Sequence, residues 1–128
     1  MGEPADKKPV MNPTRTAVIC DDDPVMRDVL ASLLANAGYE VVGTADTAIR
    51  AIELVDHAHP DLVIVDVAMP GMSGLEAVPV LRRVSPGAKV IVCSAFDVSE
   101  ASAVAAGAIA VIDKSKLIDL TRLLAPAG

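Results

Sequence analysis

The sequence predicts an α/β fold, a five-stranded parallel sheet with helices on both faces, and three observations carry that reading. Four short apolar runs, Ala17-Val18-Ile19-Cys20, Leu62-Val63-Ile64-Val65, Val90-Ile91-Val92-Cys93 and Ala110-Val111-Ile112, are continuous rather than alternating, as in strands covered on both faces. A weaker run, Glu40-Val41-Val42-Gly43, makes five, and segments with apolar residues three and four apart separate the runs. The 128 residues are 52% hydrophobic, with 21 alanines and 18 valines but only Tyr39 and Phe96 as aromatics. Small branched side chains suit helices packed closely on a buried sheet, and the length suits one domain.

Each element has its own signals. Asp23-Pro24 opens the first helix as an acidic N-cap with proline at the first helical position, and Gly38 closes it. Met26, Val29, Leu30, Leu33, Leu34 and Ala37 form its apolar face. The second helix reads from Asp46 with Ala48, Ile49, Ile52 and Val55 on one side. The third begins near Ser73 and carries Leu75, Val78 and Leu81; Pro79 falls in its middle, where a missing donor predicts a kink or an early distortion. The fourth, Ser99 to Ala106, ends at Gly107, and the last runs from Lys116 to Leu124. Five β-α units with short right-handed connections give an α/β sandwich around a parallel sheet, expected in the flavodoxin-like order 2-1-3-4-5. The domain is expected over residues 16–125, behind a disordered N-terminal tail, 1–15, that prolines interrupt and that lacks the apolar run of a signal peptide.

Composition excludes several functions. The longest uncharged stretch, Ala101 to Ile112, is too short for a bilayer span, which needs about 20 residues. With 11 basic and 17 acidic residues, net charge −6, and no cationic cluster longer than a pair, a nucleic-acid footprint is absent. Cys20 and Cys93 end apolar runs two strands apart, about 9–10 Å at about 4.8 Å per strand, so they are expected as free, buried thiols of a cytoplasmic protein. His57 and His59 are read as exposed residues at a helix end.

The informative residues follow the runs. Asp21-Asp22-Asp23, Asp66, Ser94 and Lys114 all emerge at the carboxyl edge of a parallel sheet, where such folds bind ligands. Two carboxylates about 4 Å apart repel by about 4 kcal/mol at an effective dielectric of 20, so Asp21, Asp22 and Asp66 call for a cation. Oxygen ligands without nearby cysteine or histidine favour Mg²⁺. A metal, a lysine, a hydroxyl and a carboxylate nucleophile are the parts of phosphoryl transfer to aspartate. Asp23 is explained by helix capping, and Ser94 on its own also suits a turn or cap.

The motifs Ile19-Cys20-Asp21-Asp22-Asp23-Pro24, Asp66-Val67-Ala68-Met69-Pro70-Gly71-Met72-Ser73-Gly74, Ser94-Ala95 and Gly107-Ala108 followed by Lys114 resemble the bacterial response-regulator receiver domain over about Thr16 to Leu124. The resemblance implies that Asp66 accepts a phosphoryl group from a sensor histidine kinase or phosphotransfer protein. It implies Mg²⁺ on Asp22, Asp66 and the Ala68 carbonyl, with Asp21 acting through water, and Lys114 and Ser94 contacting the phosphoryl oxygens. It also implies a downstream protein target or output domain, a possible homodimer, and a phosphoacceptor rather than an enzyme in its own right.

Three departures concern the switch. Val111 stands where the family commonly has an aromatic, Ser115 stands where proline usually follows the lysine, and the segment from Ser94 to Lys114 is short, so the fourth helix is expected to be clipped. Ala68 and Phe96 flank the path of an attacking water; neither orients one, which predicts slow self-dephosphorylation. The alternative function is a phosphorylation-independent module that docks a partner on its fourth helix, fifth strand and fifth helix.

Overall fold

The computed structural model describes residues 15–125. Five parallel strands, β1 (Arg15–Cys20), β2 (Tyr39–Ala45), β3 (Leu62–Asp66), β4 (Lys89–Ser94) and β5 (Ala110–Asp113), form one sheet in the order β2-β1-β3-β4-β5. Between and after them come α1 (Pro24–Asn36), α2 (Ala48–Ala58), α3 (Gly74–Val84), α4 (Glu100–Ala106) and α5 (Leu117–Leu124), the last entered through a 3₁₀ turn, Lys114–Lys116. This is the fold, and the strand order, that were expected. Arg15 already belongs to β1, one residue before the expected domain start; residues 1–14 of the expected tail lie outside the described residues. Among the described residues no helix is long and apolar enough to cross a membrane.

The alternation of side chains along each strand sorts the core into two layers. Val18, Cys20, Val63, Val65, Val90 and Val92 pack with Ala48, Ala51 and Val55 of α2, Ala77, Val78 and Leu81 of α3 and Ala103 of α4. On the other face Ala17, Ile19, Leu62, Ile64, Ile91, Cys93 and Ile112 meet Leu30 and Leu34 of α1 and Leu120 of α5. The valine and alanine excess therefore lies mainly under three helices, and the larger isoleucines and leucines lie under two. Fully burying one such large side chain contributes about 1.5–3 kcal/mol.

Helix ends follow the sequence signals. Asp23 caps α1 by accepting the Val25 amide, and Thr47, rather than Asp46, caps α2 through the Arg50 amide. Ser73 and Glu76 form a reciprocal capping box on α3, and Ser99 caps α4. Pro79 does not end α3, which continues to Val84; it lies on the exposed side, where water can satisfy the Leu75 carbonyl that a normal amide would have bonded. α4 has seven residues, the shortest of the five α-helices.

Cys20 and Cys93 are free and buried, and they belong to opposite faces of the sheet. Burial pushes both thiols up to about 12, the neighbouring Asp21 and Asp66 charges adding to the effect. The Cys20 thiol also meets the Thr47 carbonyl and the Met69 sulfur, each at 3.3 Å. With an aromatic disulfide reagent at neutral pH, both are expected to react only as fast as the protein opens. A thiol modified within seconds in the native state would contradict that burial. His57 and His59 are exposed, as expected; His59 closes α2 in a left-handed conformation, φ 46°, with its Nδ1 3.4 Å from the Ser85 hydroxyl.

Candidate functional site

The carboxyl edge of the sheet gathers the residues singled out above. β1 delivers Asp21, the adjacent β3 ends at Asp66, and the turn after β5, one strand beyond β4, carries Lys114, so three strand ends place three charges on one spot. The Lys114 Nζ lies 2.7 Å from Asp21 Oδ2 and 3.2 Å from Asp66 Oδ1. Asp21 and Asp66 are buried, and the lysine side chain is only 14% exposed. Asp22 is exposed, but one oxygen each from Asp21, Asp22 and Asp66 lie within 4.8 Å of one another.

Backbone groups hold the carboxylates in place. Asp21 Oδ1 accepts the Asp23 amide at 2.9 Å, and Arg27 Nη1 donates to the Asp21 carbonyl at 2.7 Å. Asp66 Oδ1 accepts the Ala68 amide at 3.3 Å. Behind it Gly74 donates to the Val67 carbonyl at 3.0 Å, bringing the start of α3 against the backbone of the nucleophile candidate. A Cβ at Gly74 would strike the Asp66 carbonyl oxygen and lie 2.8 Å from its carbon, so glycine is required by close approach here.

The electrostatics are those of a crowded anionic pocket. Burial, then the Asp21 charge, raises the Asp66 carboxyl above its ordinary range, and Lys114 offsets only part of this. For Lys114, burial alone would favour the neutral amine, but the close contact with Asp21 and the charges of the two carboxylates outweigh it and raise its pKa. A carboxyl raised in the folded state adds stability below its unfolded pKa and loses it as pH rises through the folded value. Asp66→Asn is therefore expected to stabilise the metal-free protein at pH 7 by about 1 kcal/mol, or about 3–5 °C in Tm, with the gain vanishing below the ordinary carboxylate range. Thermal melts of both proteins between pH 3 and 8 would check this, and a pH-independent difference would contradict it.

The donor set fits a hard divalent cation. The candidate ligand atoms are oxygens, and Asp21 Oδ2 is buried, meeting Lys114 as an ion pair without a well-directed hydrogen bond. The candidate ligand Asp22 faces solvent, which leaves an open side for waters.

Other expected site residues stand differently. The Ser94 hydroxyl is buried but turns on its own loop, donating to the Phe96 carbonyl at 2.9 Å and accepting the Phe96 amide at 3.0 Å. No bond joins it to Asp66 or Lys114. Phe96 itself is 69% exposed. Val111 is half-buried against the face that carries α2, α3 and α4. Sequence reasoning missed Arg27, Gly74 and the full part played by Asp21. Arg27 had one available signal, a cation in the first turn of the helix that follows three acids.

Residues 17–125 match the response regulator receiver domain family. The chemotaxis protein CheY of Thermotoga maritima is 39% identical over 82 residues, which cover 64% of this chain and 68% of that protein. The transcriptional regulatory protein PdtaR of Mycobacterium tuberculosis is 38% identical over 84 residues, 64% of this chain and 40% of its own length. Among solved structures, a LuxR-family two-component response regulator from Aurantimonas superposes with a TM-score of 0.75 at 28% identity, covering 87% of this chain and 85% of that one. Fold, strand-end acids and family match converge on one conclusion: the chain belongs to the response regulator receiver domain family of two-component signalling.

Proposed function

We propose that the chain accepts a phosphoryl group on Asp66 from the phosphohistidine of a sensor kinase or phosphotransfer protein and signals by changed protein contacts. One observation supports this most strongly: Asp66 sits between a lysine ammonium at 3.2 Å and two further aspartates at the ligand-binding edge of the sheet. Asp66 Oδ1 is engaged by Lys114 and the Ala68 amide, while Oδ2 has no hydrogen bond among the described residues. Oδ2 is thus the oxygen available to form the new P–O bond as the P–N bond of phosphohistidine breaks, its electron pair returning to the imidazole. Lys114 holds its positive charge beside the equatorial phosphoryl oxygens. Asp22, Asp66 and the Ala68 carbonyl would hold Mg²⁺, with Asp21 acting through water, and the ion supplies neutralisation of the charge gathered on the transferred group. Ser94 reaches the phosphoryl group only after giving up its two bonds to Phe96, so modification and rearrangement of the loop after β4 are coupled.

The outward side of this switch is atypical, with Val111 for the aromatic and Ser115 for the proline, and Phe96 and Ala68 offer no group that orients an attacking water. A slow loss of phosphate and a changed path from β4 to β5 follow from those residues. The phosphoacceptor acts as a signalling domain of the cytoplasm, assisting its own modification rather than turning over a separate substrate.

Incubating the protein with acetyl phosphate and Mg²⁺ and measuring intact mass tests the reading. Wild type is expected to gain one phosphoryl group, and Asp66→Asn and Mg²⁺-free samples none. Equal labelling of wild type and Asp66→Asn would overturn it, and absence of labelling in both would favour the phosphorylation-independent docking module.

A further inference from the structure

Lys114 reaches the acid pocket from a turn built unlike the rest of the site. β5 ends at Asp113, whose backbone is extended at φ −77° and ψ 127°, and the chain then enters the 3₁₀ turn Lys114–Lys116. The Asp113 carboxylate points back over that turn: its Oδ1 accepts both the Ser115 amide and the Ser115 hydroxyl, each at 2.8 Å. The lysine is thereby enclosed between an acceptor on one neighbour and two donors on the other. α5 has no side-chain cap of its own at Lys116, and the Asp113 bonds are side-chain hydrogen bonds that tie the end of β5 to the turn leading into α5. A proline after the lysine would have neither donor, so this closure requires a residue at 115 that carries both an amide and a hydroxyl, as serine does.

We propose that Asp113 is a positioning residue for Lys114: by taking both donors of Ser115 it sets the backbone on either side of the lysine so that Nζ lies between Asp21 and Asp66. The distances agree with this role. Lys114 makes two contacts within 3.2 Å with carboxylates from two different strands while its side chain is 14% exposed, a placement a freely turning segment would not keep. In register, Asp113 is also the partner of Ser94 across β4 and β5, so the residue that closes the turn lies beside the strand end that carries the hydroxyl. The two bonds to Ser115 also hold the Asp113 carboxyl below its usual range, consistent with an acceptor that stays ionised.

The functional part of this inference rests on phosphoryl acceptance at Asp66, so the test carries two readouts. In the first, native protein is pulsed with acetic anhydride and the labelling of Lys114 is compared with that of exposed Lys116 and Lys89 by peptide mass. In the second, the rate of acetyl-phosphate labelling is followed. In wild type, Lys114 is expected to be protected relative to the other two lysines. Asp113→Ala should raise Lys114 labelling and slow phosphorylation, each by about fivefold, the factor for losing one capping interaction. Asp113→Asn keeps an acceptor oxygen and should restore both to near wild type.

Unchanged Lys114 protection in Asp113→Ala would overturn the proposal. Equal effects of alanine and asparagine would also overturn it, since the charge and not the turn would then matter. A parallel rise at Lys89 would reduce Asp113 to a general stabiliser and overturn it likewise. If wild type takes no phosphoryl group, the reading of Asp66 fails, and the amine-protection result decides the positioning role alone.

Discussion

Replacing Gly74 by alanine is expected to destabilise the protein by about 3 kcal/mol and to remove phosphoryl acceptance, although the residue bears no functional group. The atoms a new Cβ would meet are the Asp66 carbonyl group and, at 3.0 Å, the Val67 Cα. All are backbone, so no flexible side chain can yield. Alanine is the better helix former by about 1 kcal/mol, and Gly74 stands at the first position of α3, so propensity alone would predict a gain. Steric conflict should outweigh it, because the only relief is to push Asp66 off its line with Lys114 or to pull α3 from the sheet. Thermal melts should show a loss of about 10 °C. A Gly74→Ala protein with wild-type melting and wild-type labelling would mean that the approach of α3 to Asp66 is not needed.

Lys114→Ala carries the second large effect. It withdraws the cation from between two buried carboxylates, which then repel in a pocket of low dielectric. Without Mg²⁺ the variant is expected to be less stable than wild type at pH 7 by about 2 kcal/mol. In wild type the raised lysine pKa adds stability that is complete below its unfolded value and fades as pH climbs through the folded one. The loss in the variant therefore persists across neutral pH. It should shrink in acid, where the Asp66 carboxyl, already raised, takes a proton and the repulsion disappears. Saturating Mg²⁺ should recover much of the stability while phosphoryl acceptance stays at least about 100-fold down, since the charge beside the equatorial oxygens is missing. Urea titrations at several pH values with and without Mg²⁺ separate these terms. A stability gap that ignores both pH and Mg²⁺ would contradict the electrostatic account.

Much of the fold was legible because a buried parallel strand leaves a local mark. The runs at 17–20, 62–65, 90–93 and 110–112 need no partner to be recognised, and the polar residue after each is where a parallel sheet places its ligands. Asp66, Lys114, Asp21 and Asp22 were found that way and do meet. The close approach of Gly74 to Asp66 was not legible, since a glycine at a helix start usually marks a turn and only the folded chain shows what lies against it. The same holds for Asp113, whose value depends on the direction of its carboxylate toward Ser115. Ser94 was correctly located at the strand end, but its hydroxyl is taken by the Phe96 backbone, a local bond that competes with the more distant site. Pro79 was recognised as lying inside a helix, but only the folded chain shows that it stands on the exposed side of α3.

Phosphoryl acceptance at Asp66 is decided by which residue carries the modification. After labelling with acetyl phosphate and Mg²⁺, borohydride reduction converts an aspartyl phosphate to homoserine, which peptide mass spectrometry locates. Homoserine at position 66 alone is the expected result. Modification at another residue, with position 66 recovered as unreacted aspartate, would contradict the central claim.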